Sequence, residues 1–222
     1  MLGFTSLERQ EVSIMEIKVG TNQDIKIIEE DDGSRTVRIE DKPGVEISTL
    51  RPGDTFIIDD HEWIVLDTKF KTDYTYGVGV ISKDFYNIMT FGDLKDFSGS
   101  NIEIYLKHIV LPKITYNINS EAVPTRVSFY SLDGQREFFE ASRHIRLITY
   151  DEARKYNQFL VNEAIGYKWW TCTPWSTTER GCDYDMVTID PSGMISKSNC
   201  KKERCGVRPF CVLAPYTIVR IQ

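Results

Sequence analysis

Tyr167-Lys-Trp-Trp-Thr-Cys-Thr-Pro-Trp175, Asp185-Met-Val-Thr-Ile-Asp-Pro-Ser-Gly193 and Cys205-Gly-Val-Arg-Pro-Phe-Cys-Val-Leu213 carry the chain's densest aromatic, turn and proline signals. The pair Trp169-Trp170 offers a large apolar area, and each indole nitrogen needs a hydrogen-bond acceptor when buried. Both are expected in a core. Trp175 follows Pro174 and is expected on a loop. Pro191-Ser-Gly193 reads as a turn between two strands. Val207 and Phe210 are expected to point inward. Arg208 offers a planar fork that can tie the last strand to a neighbouring loop. Pro209 cannot donate to a ladder, so it suits an edge or a bulge.

Upstream, two capping boxes mark helix starts. In Ser100-Asn-Ile-Glu103 and Thr149-Tyr-Asp-Glu152, the hydroxyl can accept the N3 amide while the Glu reaches back to the cap amide. Ile102, Leu106, Ile109 and Val110 follow the first at helical spacing, and Pro112 is expected to end that helix. Ala153, Tyr156, Phe159 and Leu160 continue the second to about Ala164, with Gly166 as its stop. Asp54-Thr-Phe-Ile-Ile58, Glu62-Trp-Ile-Val-Leu-Asp67 and Tyr76-Gly-Val-Gly-Val-Ile-Ser82 read as strands, the first two joined by a short turn at Asp59-Asp60-His61. The glycines of the third predict a close approach of neighbouring backbone. Residues 115–143 are polar, with a Leu132-Asp-Gly134 turn, and read as an irregular excursion. Short strands with two helices predict an α+β domain over residues 50–222.

Residues 1–14 read as a flexible lead. Met15-Glu-Ile-Lys-Val19 opens a clearer pattern, and Met15 could itself be a start. Ile25-Lys-Ile-Ile28 and Thr36-Val-Arg-Ile-Glu40 alternate with period two around Asp31-Asp-Gly-Ser34, the signature of a hairpin. Residues 15–48 are therefore read as a small β appendage.

Composition narrows the function. Aromatics at 12% of 222 residues can supply a core, which argues against disorder. No run approaches the roughly 18 apolar residues of a membrane span. The first 14 residues have no apolar signal-peptide core, so a cytoplasmic or phage-particle location is expected. Residues 1–60 hold 14 acidic and 7 basic side chains and the rest 19 and 20, against a net charge of −6. A nucleic-acid binder shows a basic domain or stripe, and no nucleic-acid partner is expected. The basic run Lys197, Lys201, Lys202, Arg204 and Arg208 reads as a solvated loop or an anion-facing patch.

Five cysteines, Cys172, Cys182, Cys200, Cys205 and Cys211, lie in the last 51 residues. The odd count argues against a complete disulfide framework, and buried free thiols are expected. Only Cys200 and Cys205 have a zinc-like spacing, and Cys172 and Cys182 make a poor second half-site. The same pair could hold copper(I) if Lys201, Lys202 and Arg204 lowered the thiol pKa. His61, His108 and His144 form no metal-binding pair. Asp183, Asp185 and Asp190 lack the spacing of a calcium loop. No phosphate-binding glycine loop or nucleophile elbow is present. No catalytic residue, metal or cofactor is predicted.

The order of these motifs resembles an uncharacterised bacterial and phage domain family. The resemblance is carried by Gly53-Asp54, Glu62-Trp63-Ile64-Val65-Leu66-Asp67, Ile81-Ser82-Lys83, Leu147-Ile148-Thr149-Tyr150-Asp151-Glu152, the Trp169-Trp170 segment and Gly206-Val207-Arg208-Pro209. It spans roughly residues 50–213. The tail is also similar to C-type-lectin-like domains of the formylglycine-generating type and of variable proteins diversified by phage retroelements. That likeness implies a small twisted C-terminal sheet whose loops form an exposed binding face. Cys205 directly abuts Gly206, unlike the Cys pair of the formylglycine-generating enzymes. The Glu-Pro-Asn and Trp-Asn-Asp motifs of calcium-dependent sugar-binding lectins do not occur.

The expected function is non-catalytic recognition of a protein or glycan ligand, compatible with an oligomer and with a phage or surface assembly. In such an assembly the appendage could serve as an attachment piece by adding to a partner's sheet. The expected contact residues are Thr171, Thr173, Trp175, Arg180, Tyr184, Lys201 and Arg204. The alternative is a metal-using enzyme of formylglycine-generating type built on Cys200 and Cys205.

Overall fold

A computed structural model describes residues 23–41 and 44–221. The expected lead at 1–14 and the start of the appendage pattern at Met15 lie outside the described residues. The chain divides into two compact units, one ending at residue 42 and the other beginning at 43. In the first, β1 (Gln23–Glu29) pairs antiparallel with β2 (Arg35–Asp41), with Ile25 opposite Ile39 and Ile27 opposite Val37. Gly33 takes a φ of 82° in the connecting turn, as the Asp-Gly reading requires.

The boundary falls before the expected residue 48 for a pairing reason. In the second unit β3 (Val45–Glu46) bonds to β17 (Ile218–Val219), so the segment after residue 43 belongs with the far end of the chain. Between them run β4 (Thr55–Ile58), β5 (His61–Lys71), β6 (Tyr76–Ser82), β7 (Asn87–Met89), β8 (Ala122–Val123), β9 (Thr125–Val127), β10 (Ala141–Arg143) and β11 (Ile145–Arg146). They are followed by β12 (Trp169–Pro174), β13 (Asp185–Ile189), β14 (Ile195–Asn199), β15 (Cys205–Val207) and β16 (Phe210–Leu213). The result is a mixed α+β unit with several small, mostly antiparallel sheets.

The larger sheet has the order β11-β16-β6-β5-β4, with β8 sharing the β11 side of β16. The smaller has the order β14-β13-β12-β15-β7, and only β12 and β15 run parallel. β15 and β16 are consecutive yet lie in different sheets, so the chain crosses between them at Arg208-Pro209. Pro209, which has no N–H to give, stands between the two strands, and its carbonyl accepts the Ser82 N–H at 3.0 Å. Arg208 is fully buried there. Its Nε donates to Ser82 O at 2.9 Å, its Nη1 donates to Leu160 O at 3.1 Å, and its guanidinium lies 4.9 Å from the Trp169 ring centre.

Both faces of the larger sheet are covered. Trp63, Val65, Val78 and Val80 face one core, and Ile64, Leu66 and Ile81 face a second. The same alternation sends Trp170 into the first core and Trp169 into the second. Trp170 is 0% exposed and donates its indole N–H to Met89 O at 2.9 Å.

The helix after Ser100 differs from the sequence reading. It runs as α1 (Asn101–Tyr105), a π-helical turn (Leu106–Val110) and α2 (Leu111–Ile118), and it does not stop at Pro112. Its buried residues, Ile102, Leu106, Val110, Ile114 and Ile118, recur every fourth position. In a regular α-helix each such step overshoots one turn by about 40°. The wider π turn absorbs this drift and keeps the stripe on one core. Ile109 is left half-exposed. Pro112 falls in the first turn of α2, directly after the π turn. Ser100 caps the helix, but Glu103 reaches back to the Gly99 N–H.

The capping box at Thr149 is complete. The helix it opens is interrupted after α3 (Tyr150–Lys155) and resumes as α4 (Asn157–Leu160). Residues 115–143 are also less irregular than expected, since they hold the end of α2 and strands β8, β9 and β10. The turn at β4–β5 consists of Asp59 and Asp60, both at positive φ, and His61 already belongs to the strand.

Gly77 confirms the close approach read from the β6 glycines. A Cβ there would stand 2.5 Å from Val212 Cγ1 and 2.7 Å from Leu213 O. Gly77→Ala is expected to lower stability by about 1–3 kcal/mol, measured by urea denaturation. An unchanged midpoint would contradict this packing.

Candidate functional site

The pairing register gathers one end of the smaller sheet. Pro174 lies opposite Met186, and Asp185 lies opposite Asn199. Trp175 N–H donates to Asp185 O at 2.9 Å, and Cys200 N–H donates to Tyr184 O at 2.7 Å. Trp175, Tyr184 and the start of the 200–204 loop therefore share this end. The intervening loop turns through a short 3-10 segment (Thr178–Arg180) and closes on Gly181 at a φ of 76°.

A buried lysine organises this loop. Lys95 is 2% exposed, and its Nζ meets Glu137 Oε2 at 2.7 Å, Ser176 O at 2.7 Å and Cys182 O at 2.5 Å. All three ammonium protons thus have acceptors. Burial alone would raise the Glu137 pKa, but Lys95 and the Thr178 N–H hold it below the usual value. The irregular segment is fastened to the same loop by Leu132 N–H to Pro174 O at 2.9 Å and Ser176 Oγ to Asp133 Oδ2 at 2.6 Å. Between them opens a groove of about 520 Å³ lined by Leu132, Asp133, Trp175, Ser176, Arg180 and Cys182. Arg180 crosses it to Asp133 at 3.6 Å.

Of the residues expected to make contacts, Trp175 and Arg180 line this groove. Tyr184 is exposed at the same sheet end. Lys201 is exposed and lies 3.8 Å from Asp93. Arg204 is turned toward the edge strand β7, where its Nε and Nη2 donate to Ile88 O at 3.1 and 2.5 Å. Thr171 is 0% exposed and donates to Val187 O at 2.8 Å. It faces the interior, because the bulged strand β12 is buried along its whole length. Thr173 is also mostly buried, and its Oγ1 accepts the Tyr150 N–H at 2.9 Å. Its environment is a second concavity of about 320 Å³ between residues 126–134 and α3.

That second cleft has a locked wall. Arg146, 1% exposed, holds Glu152 through Nη1 at 2.7 Å and Nη2 at 2.6 Å. Glu152 also accepts the Thr149 N–H at 2.8 Å and the Thr149 hydroxyl at 3.0 Å. Burial would raise the Glu152 pKa, but the Arg146 charge and these donors hold it below the normal range.

Four of the five cysteines are buried thiols, as expected, and Cys182 is half-buried. All five are free. Burial pushes Cys200 and Cys205 up to about 11, so the lowered thiol pKa on which the copper(I) alternative depends is not met. Both thiols are 0% exposed, while the three cationic side chains lie in solvent. Among the described residues no group of three or more His, Cys, Asp or Glu side chains gathers as metal ligands would. No helix among them is long and apolar enough to cross a membrane. No family model, curated protein or solved structure matches the chain.

Two measurements check this geometry. Glu152→Gln is expected to cost on the order of 3 kcal/mol, because it leaves Arg146 buried without a countercharge. The lowered carboxyl pKa stabilises the fold above the unfolded value near 4.3, and that contribution fades as pH falls through the folded value. The variant's stability should therefore vary less with pH below about 4.3; identical pH profiles would contradict the ion pair. A thiol titration of the folded protein at pH 8 should label Cys182 alone, the one cysteine that is not buried. Rapid labelling of Cys200 or Cys205 would contradict their burial.

Proposed function

We propose that residues 43–222 form a non-catalytic recognition module of C-type-lectin-like architecture, which binds a protein or glycan ligand through loops of its smaller sheet. The observation that carries this reading is the groove beside Trp175. A half-buried tryptophan and an exposed arginine, the residue types that dominate binding hot spots, are held on a loop that Lys95 fixes in advance of any ligand. Pre-ordering of this kind lowers the entropic cost of association. The paired C-terminal strands, with their long connection at residues 175–184, agree with the resemblance read from the sequence.

The metal-using enzyme alternative draws less support, since burial keeps both Cys200 and Cys205 protonated at neutral pH. The β1–β2 hairpin, a separate two-stranded unit, suits an attachment piece in a phage or surface assembly. A cytoplasmic or phage-particle setting follows from that reading.

A combined protein and glycan interaction screen of the full chain would supply a ligand. Trp175→Ala combined with Arg180→Ala should then weaken binding at least tenfold without moving the thermal midpoint. Unchanged affinity in a folded double variant would refute the proposed face.

A further inference from the structure

We infer that the cleft between residues 126–134 and α3 is a calcium-independent binding site for a neutral oligosaccharide. This inference rests on the recognition reading and narrows it to one ligand class and to a location beside the Trp175 groove.

The cleft is concave, and its volume of about 320 Å³ lies at the lower end of ordinary small-molecule sites. Arg126, Tyr130, Thr149, Tyr150, Arg154 and Thr173 line it, with Ser128 and Ser131 beside them. Two tyrosine rings border it, each with a guanidinium over one face (Arg136 at 4.9 Å from the Tyr130 centre, Arg154 at 5.7 Å from the Tyr150 centre), and hydroxyls and guanidinium groups supply the polar contacts. A sugar ring has this duality, with C–H faces and a rim of hydroxyl groups that each donate and accept.

Charge decides against an acidic ligand. Arg154 already lies 3.1 Å from Asp151, and Arg126 lies 4.0 Å from Glu140. Glu152 is neutralised by Arg146. The lining is thus charge-balanced, and an anion would have to compete with carboxylates in place. A neutral hydroxyl can bridge a guanidinium and a carboxylate without separating them. Gathered, balanced pairs of this sort recognise polarity and shape rather than net charge.

The walls are also set before a ligand arrives. One is locked by the four hydrogen bonds to Glu152. On the other, the Ser131 hydroxyl accepts the Gln135 N–H at 3.1 Å, and Asp73 accepts the Arg126 N–H at 2.8 Å. Leu132 borders both this cleft and the Trp175 groove, while Arg126 borders both the cleft and a third concavity at Phe138–Ala141. The cleft thus has a neighbouring concavity on either side, an arrangement that suits a chain of linked sugars over a single enclosed molecule.

The test is a calorimetric and NMR titration of the full chain with linear neutral oligosaccharides of three to six glucose or N-acetylglucosamine units. Uronic-acid oligosaccharides and an acidic peptide serve as the comparison arms. Saturable binding of a neutral oligosaccharide is expected. It should be insensitive to salt and to calcium chelation, and weakened at least tenfold in Tyr130→Ala and Arg154→Ala, both at exposed positions. Trp175→Ala should change it less than threefold. Absence of any response to neutral oligosaccharides at millimolar concentration would overturn the inference, as would binding confined to the acidic probes or unaffected by both cleft variants. A protein ligand captured through Trp175 while no sugar binds would overturn this inference alone and leave the recognition reading standing.

Discussion

Adjacent residues of an extended strand point to opposite sides, so Trp169 and Trp170 cannot share a core. Each is nearly or fully buried, and the chain must therefore build apolar mass on both sides of β12. Truncating one such side chain would cost about 3–5 kcal/mol, a large part of a typical domain's stability. The helix Ile102, Leu106, Val110, Ile114 and Ile118 fills one side, and Ala153, Tyr156 and Leu160 help fill the other. The crossing at Arg208-Pro209 then joins the two sheets around that double core. Arg208 makes the junction by donating to carbonyls of β6 and α4 rather than by pairing with a carboxylate.

This scaffold leaves its polar excursion on the outside. Residues 128–137 have few apolar side chains to bury, yet they are pinned along their length. Asp73 holds the preceding strand at Arg126, Ser131 and Asp133 bond within the turn, and Glu137 meets Lys95. A lysine that is almost fully buried is costly unless every proton is accepted, and here its three acceptors come from two separate segments. The rigidity of the groove and of the neighbouring cleft has the same origin: polar atoms that can be satisfied in only one arrangement.

Much of the scaffold was legible locally. Strand β6 matches its sequence reading residue for residue, and the Asp-Gly hairpin, the caps at Ser100 and Thr149, the inward Val207 and Phe210 and the buried Trp pair all follow from short-range rules. The departures share a cause. Pro112 continues a helix because a π turn precedes it, and that turn exists to keep a period-four stripe against the core. Thr171 is buried because β12 is covered along its whole length, which composition does not encode. The thiols of Cys200 and Cys205 follow burial rather than the charge of their sequence neighbours.

From the sequence alone came the α+β class, the division into a hairpin and a larger unit, the aromatic core residues and a Trp175 displayed on a loop. These depend on periodicity, capping and turn chemistry, which act over a few residues. Only the tertiary structure joined Lys95 to residues 81 and 87 positions away, separated the buried Thr171 from the exposed Arg180, and opened the cleft beside Tyr150. Those outcomes depend on which distant groups meet when the two cores close, and no local pattern records that meeting.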